Sequence, residues 1–460
     1  MSTTTYTSST AQAAAGRRRL FLALCAGNFM VLLDTSILNV ALPNIQQDLH
    51  VSAALLPWSS VAYTTAFACL LLASGAAADR FGAPRLYRVA LSCFAAISLL
   101  CAAAPNIGLL IASRALLGVA AAGMVPASLA LLVSVYSDPG ARVRAIGSWA
   151  AVSSIGLLAG PLLGGLLVTV GGWRLVFLVN PPIAALSLAL IAGVANSRPA
   201  TVRPLDRPGV ALSIVALACL TFGLIDGGTN GWSHPAPIVG VAAGILALAV
   251  LAWVERRVRH PVLPPALLAR RPIRNDMLAA CVATLVFYGM LFTLTLWYER
   301  ERGFSALATG LAFVPMTLPM CVLPKFTGQL VARFGARQLI LFGLTADVLA
   351  GLMLAGVGHN GPLPWVFAAE AALVLASTTA IPAAMAHMGS AAPPEYAGSA
   401  QGALNAGRQA GSALGVALLG PLTSLHVAGP ILAVVSVLTL ACIAWPGRWR
   451  IREPEPAHGH

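Results

Sequence analysis

The chain has 460 residues, of which 58% are hydrophobic and only 9% charged, and its mean hydropathy is +0.83. So little polar surface excludes an ordinary water-soluble globule and places the chain in lipid. The formal charge of +13 would suggest nucleic acid in a soluble protein; here the basic residues gather in short breaks between apolar stretches, where they mark orientation in a bilayer.

In chain order, residues 1–16 are rich in Ser, Thr and Ala and read as a disordered tail. Arg17, Arg18 and Arg19 then precede an apolar run that exceeds twenty residues, contains Asp34 and lacks a signal-peptidase site, so it reads as a retained first span. A bilayer crossing takes about 20 apolar residues. On that measure the spans fall at 20–42, 55–77, 86–104, 108–134, 144–170, 173–195, 208–227, 236–254, 276–298, 306–324, 337–357, 363–386, 399–421 and 428–445, fourteen in all. Residues 447–460 are left as a polar tail. The eight cysteines all lie in apolar stretches without ligand-pair spacing and read as small buried hydrophobes.

Orientation tests this count, because cytoplasmic loops carry the Lys and Arg excess. With the N-terminus inside, 23 of the 28 basic residues fall in cytoplasmic segments, which also puts the C-terminus inside. A repeat is visible too. Gly75-x3-Asp79-Arg80-Phe81-Gly82 resembles Gly328-x3-Ala332-Arg333-Phe334-Gly335 at an offset of 253, and Gly147, Gly156, Gly160 and Gly164 recur as Gly398, Gly407, Gly411 and Gly415 at 251. Two patterns at nearly one offset indicate duplicated halves, here 17–195 and 261–446, separated by a linking pair of spans within 196–260.

Six motifs carry a family resemblance. The first span reads Leu33-Asp34-Thr35-Ser36-Ile37-Leu38-Asn39-Val40-Ala41-Leu42-Pro43; Gly75-x3-Asp79-Arg80-x-Gly82-x2-Arg85 follows the second, with Ala83 and Pro84 at two usually basic positions. The fourth has Arg114-x3-Gly118-x4-Gly123 and the fifth Gly156-x3-Gly160-Pro161-x2-Gly164-Gly165. The sixth has Trp173-Arg174-x2-Phe177-x2-Asn180-Pro181, and near the end Gly398-x2-Gln401-Gly402-x2-Asn405-x2-Arg408-Gln409-x-Gly411 matches a thirteenth-span pattern. In this order they resemble the fourteen-span drug:proton antiporter branch of the major facilitator superfamily. The resemblance implies an all-α integral membrane fold of two pseudo-symmetric six-helix bundles plus two central helices, in the bacterial cytoplasmic (inner) membrane. It also implies export of small lipophilic or amphipathic compounds, antibiotics among them, in exchange for protons.

An ionised group at mid-bilayer costs about 2.5–3.5 kcal/mol on insertion scales, so an intramembrane acid is a functional candidate. Asp34 is the first, as proton carrier, with Arg114 as its electrostatic partner; a purely structural ion pair is the plainer alternative. Glu370 and Asp347 are secondary acids, Glu370 near enough to the outer end of its span to reach water. Gly156, Gly160, Gly164 and Pro161 suit close helix packing and bending. In a short cytoplasmic loop, Gly75, Asp79, Arg80 and Gly82 would form a charge latch with Arg142. Asn28, Tyr63, Phe287 and Tyr288 are cavity-wall candidates by span position, Asn405 and Arg408 by motif, and Glu299 as part of a charged cluster at an outer mouth.

No cofactor is expected beyond the proton-motive force. A nucleotide loop would need Gly-Lys-Ser/Thr, and the single lysine, Lys325, follows Pro324. His-Glu-x-x-His and Gly-x-Ser-x-Gly are missing, so enzymatic chemistry is not expected. The expected partners are a small-molecule substrate, protons and lipid, with the chain acting as a monomer. A narrow exporter of one metabolite, lipid or siderophore, and a non-transporting receptor or scaffold, are the competing readings.

Overall fold

The computed structural model describes residues 3–52, 55–136, 138–194, 207–258, 265–358, 361–391, 397–422 and 424–444. All regular structure among them is helical. The first part comprises α1 (Thr3–Asp48), α2 (Leu56–Phe81), α3 (Ala83–Ala102), α4 (Ile107–Val135), α5 (Pro139–Gly171), α6 (Leu175–Leu178) and α7 (Asn180–Ile191). After α8 (Arg207–Asn230) and α9 (Pro235–Glu255) come α10 (Pro265–Leu268), α11 (Arg271–Leu296) and a π-helical turn, Trp297–Glu301. The rest is α12 (Ala306–Ala312), α13 (Val314–Val322), α14 (Pro324–Phe334), α15 (Ala336–Ala355), α16 (Leu363–Ala391), α17 (Ala397–Leu419) and α18 (Leu425–Ala444). Nine of the described helices are long and apolar enough to cross a membrane.

Helix ends follow local chemistry. Side chains of Asn106, Asp138 and Ser305 accept the backbone N–H of Leu109 (2.9 Å), Ala141 (2.6 Å) and Ala308 (3.2 Å), capping α4, α5 and α12. Gly82, at φ 84°, and Gly335, at φ 81°, each form the whole connection between two helices. Their N–H groups close on the carbonyls of Ala78 (3.0 Å) and Val331 (2.8 Å). A residue with a side chain is strained at that φ, so glycine is required at both. The 253-residue repeat is therefore a repeated backbone turn.

Several expectations need correction. The tail expected to be disordered is helical from Thr3, where α1 begins; the run Ala13-Ala14-Ala15 has high helix propensity and extends the first span backwards. Asp79 and Arg80 do not lie in a loop: α2 continues through Phe81, and Pro84 occupies the first turn of α3, where its missing N–H costs nothing. The sixth and tenth spans are each broken. Pro181 and Pro182 restart the ladder after Val179, and Pro315 and Pro324 do so after Phe313 and Leu323. Cys93 and Cys442 are exposed, on faces with exposed Val89, Leu99, Leu100 and Leu438 that suit lipid contact.

Packing repeats as well. α1 lies along α5 and α7, α2 along α4, and α3 along α4 and α7; correspondingly α11 lies along α17 and α18, α13 and α14 along α16, and α15 along α16 and α18. Between the two sets, α2 meets α17, α5 meets α12 and α13, and α1 meets α11 and α12, while α8 and α9 pair together and α8 touches α2 and α17. Near Asp48 the junction is tight: the Gly165 Cα faces the Ala306 carbonyl, the Arg300 guanidinium donates to Gln46 Oε1, and a cavity of about 430 Å³ lies between Pro43, Gln46, Thr169, Glu299 and Phe304.

Candidate functional site

Glycine makes the walls. A methyl group on Gly156 would strike the Phe29 carbonyl, one on Gly160 the Ser36 hydroxyl, and one on Gly164 would lie 2.8 Å from the Ile37 carbonyl. These positions therefore set α5 against α1. Pro161, with no N–H, leaves the Leu157 carbonyl without its helical donor; the Ser36 hydroxyl supplies one at 2.8 Å. The same exchange occurs in the other set, where Pro382 frees the Thr378 carbonyl and Thr327 donates to it at 3.2 Å.

This packing holds a polar centre around Asp34. Asp34 and Arg114 are each 1% exposed and form a salt bridge through Oδ2 and Nη1. Asn180 Nδ2 donates to the other carboxylate oxygen at 3.1 Å and to Ser98 Oγ at 3.0 Å, while the Ser98 hydroxyl donates to the Phe177 carbonyl at 2.9 Å. Arg114 Nε donates to the Ser59 carbonyl at 2.9 Å, and its guanidinium stands 4.4 Å above the Tyr63 ring. Tyr63 is fixed in turn by its hydroxyl on the Val31 carbonyl at 3.3 Å. Three helices, α1, α4 and α7, thus meet at one carboxylate, and α2 and α3 join the network through Arg114 and Asn180. The pairing of Asp34 with Arg114 follows the sequence expectation; Asn180 and Ser98 were not singled out as its partners, although Asn180 opens a helix inside an apolar stretch, which is a readable signal.

The other acids sit differently. Glu370 is fully buried rather than near water, and accepts the Tyr298 hydroxyl at 2.8 Å. Tyr298 stacks on Phe304 at 5.4 Å and meets Phe313 edge-on at 5.7 Å. Asp347 is fully buried with neither carboxyl oxygen hydrogen-bonded among the described residues. Sequence reasoning missed a further pair, buried Asp276 hydrogen-bonded to His387 Nδ1 at 2.7 Å, which joins α11 to α16.

Of the wall candidates, Asn28 donates to Ser153 Oγ and so braces α1 against α5. Phe287 and Tyr288 are buried with rings 5.3 Å apart. Both stand on α11, which packs along α17 of the second set and also meets α1 of the first. Arg408 Nη1 donates to Asn405 Oδ1 at 3.3 Å. Glu299, with Arg300, lines the cavity near Asp48. Arg80 is exposed and stacks on its own neighbour Phe81 at 5.5 Å. The side chains of Asp79 and Arg142, and the surroundings of Gly75, lie outside the described residues.

With this geometry in hand, the sequence model of the Major Facilitator Superfamily matches residues 24–416. The chain belongs to the major facilitator superfamily. It is 35% identical over 398 residues to the multidrug resistance protein Stp of Mycobacterium tuberculosis (strain CDC 1551 / Oshkosh), covering 86% of this chain and 73% of that protein. To the puromycin resistance protein pur8 of Streptomyces alboniger it is 35% identical, covering 86% and 80%. To the tetracenomycin C resistance and export protein of Streptomyces glaucescens it is 32% identical, covering 88% and 76%. Among solved structures, the peptide transporter POT in complex with sulfate superposes with a TM-score of 0.68 at 16% identity over 93% and 94% of the two chains. The human organic anion transporter MFSD10 does so with a TM-score of 0.63 at 18% identity over 93% and 99%; these likenesses concern the fold. The chain is therefore a multi-pass membrane transporter of small molecules, not an enzyme.

Proposed function

We propose that this transporter exports small lipophilic or amphipathic compounds, antibiotics among them, by exchange for protons across the bacterial inner membrane. Asp34 carries the proton and Arg114 competes with it for the carboxylate. The observation that carries the reading is the salt bridge itself: an acid 1% exposed, tied to a permanent cation and to the amide of Asn180. Protonation of Asp34 would release Arg114 and loosen the joint of α1 with α4 and α7, which couples proton uptake to rearrangement. The resistance and export proteins at 32–35% identity support the substrate class.

In this reading the chain has fourteen spans with both termini cytoplasmic, and functions as a monomer. Two six-helix halves rock about a central cavity, and α8 and α9 form the linking pair. The repeated packing and the two glycine turns support that arrangement. Gly156, Gly160, Gly164 and Pro161 hold α5 to α1 during rocking. Gly75, Asp79, Arg80, Gly82 and Arg142 form the cytoplasmic latch, and Glu370 and Asp347 are further protonatable sites in the second half. The membrane potential contributes about 2.3 kcal/mol per charge per 100 mV, so no nucleotide is needed.

The test is efflux of a lipophilic dye from proteoliposomes under an imposed pH gradient, with wild type and Asp34→Asn in parallel. The substitution is expected to lower gradient-driven efflux by more than about tenfold, about 1.4 kcal/mol in the coupled step. Equal coupled rates would move the proton to Glu370 or Asp347. Lack of flux with several ligands would favour a receptor or scaffold, and flux of one metabolite alone a narrow exporter.

A further inference from the structure

Resting on the export reading, we propose that α17 carries a receptor for acidic substrates, in which Arg408, flanked by Asn405 and Gln409, binds a carboxylate or equivalent anionic oxygen pair while Phe287 and Tyr288 receive the attached apolar body. Three independent observations lead there.

The first is spacing. Asn405, Arg408 and Gln409 stand at i, i+3 and i+4, so they share one helix face and form a polar patch midway along a transmembrane element. The second is unused capacity. Arg408 has one side-chain hydrogen bond, from Nη1 to Asn405 Oδ1, and buried Nε and Gln409 Oε1 have no partner among the described residues. No carboxylate lies within salt-bridge range of Arg408 in the described structure, in contrast to Arg114, whose charge is matched by Asp34. A guanidinium cannot shed its charge, and its planar fork fits two oxygens at once.

The third is space. The duplicated halves differ at this turn. Gly156 is pressed against Phe29, yet a methyl group on its counterpart, Gly407, would meet nothing within 4 Å among the described residues. Gly411 and Gly415, one and two turns further on, again back onto the Cys281 and Leu285 carbonyls of α11. Residues 405–410 are accordingly all partly exposed, while 411–413 are buried. Gly407 lies about 150° round the helix from the centre of the Asn405, Arg408 and Gln409 patch, so the room beside the unmatched cation is read from the partial exposure of 405–410 itself.

Phe287 and Tyr288, with rings 5.3 Å apart, stand on α11, the helix packed along α17, and provide the apolar and aromatic surface for the body attached to the anion. The arrangement selects a flat or aliphatic body bearing an acidic group, and gives the second half a role in selecting cargo while the first holds the Asp34–Arg114 pair. An anion at Arg408 would not compete with Arg114, because Asp34 and Ser59 already occupy that guanidinium.

The test compares two probes with one body, 1-pyrenebutyrate and 1-pyrenebutanol, titrated by fluorescence into the full chain in lipid nanodiscs. Wild type is expected to bind the carboxylate about tenfold more tightly than the alcohol, equivalent to about 1.4 kcal/mol. Arg408→Gln should bring the ratio to about one by weakening the carboxylate, and Arg408→Lys, which keeps the charge without the fork, should fall between. Measurable alcohol binding by Arg408→Gln certifies a folded cavity. Equal wild-type affinities, or a preference that survives Arg408→Gln, overturn the inference while leaving gradient-driven dye efflux, and hence the export reading, intact. If wild type binds neither probe and moves no dye under a pH gradient, both fall together.

Discussion

Ser36 shows how a single hydroxyl can allow a proline in a transmembrane helix. Its bond to the Leu157 carbonyl replaces the donor that Pro161 lacks, and an unpaired buried carbonyl costs about 1–3 kcal/mol. Ser36→Ala should therefore lower the thermal unfolding midpoint in detergent. Pro161→Ala, which restores the helical N–H, should recover most of that loss in the double variant, and a purely additive result would show that the hydroxyl acts elsewhere. The residue scale is also where sequence reasoning stops soonest. Asp34 and Arg114 were legible because each is a charge in oil and must find an opposite. Asn180 and Ser98 complete the same site, but a neutral polar side chain has many ways to be satisfied, and a span position does not say which. Asp276 and His387, 111 residues apart, meet only because α11 and α16 pack together.

Among elements, the glycine series makes graded demands. Gly411 is closed off by the Cys281 carbonyl and Gly407 by nothing, although both belong to one repeated pattern. Gly411→Ala is expected to reduce the yield of folded protein and its unfolding midpoint, as Gly164→Ala should against Ile37, whereas Gly407→Ala should leave the midpoint unchanged. Size-exclusion chromatography and thermal melts of the three variants measure this directly. The repeat itself was legible from spacing, as was the capacity of the fifth-span glycines for close helix approach. That one copy would be packed and the other open was not, because four glycines in register say that a backbone can approach and not that it does. The breaks in the sixth and tenth spans were visible as prolines, but hydropathy counts Pro as neutral and runs through them. The tail before Arg17 read as disordered from its Ser and Thr content, while its alanines carry the helix back to Thr3.

At the scale of the molecule, the ends near Asp48 of the two sets of helices are fastened by Arg300 on Gln46 and by close packing at Gly310, where an added methyl group would lie 2.6 Å from the Pro161 carbonyl. If the halves rock, this seam must part during each cycle. Cysteines placed at 46 and 300 in a background without native cysteines, joined by a short thiol cross-linker, should therefore stop efflux, and a cleavable linker should restore it on reduction. Unchanged flux in the joined protein would mean that the seam stays shut throughout. The all-helical class and the family were legible in full from charge placement and motif order. The seam was not, since it depends on which face of α5 meets α12, a matter of helix rotation that no span boundary records.

Gly82 and Gly335 leave another mark on the molecule. With one residue between helices there is no slack, so each pair α2–α3 and α14–α15 has its angular phase set by a single peptide. One inserted residue at either place would rotate everything downstream by about 100° about its own axis, turning the buried stripe of α3, with Tyr87, Leu91 and Phe94, out toward lipid. These two corners are where the chain tolerates least change in length, so lineages descended from the duplication should vary their insertions elsewhere.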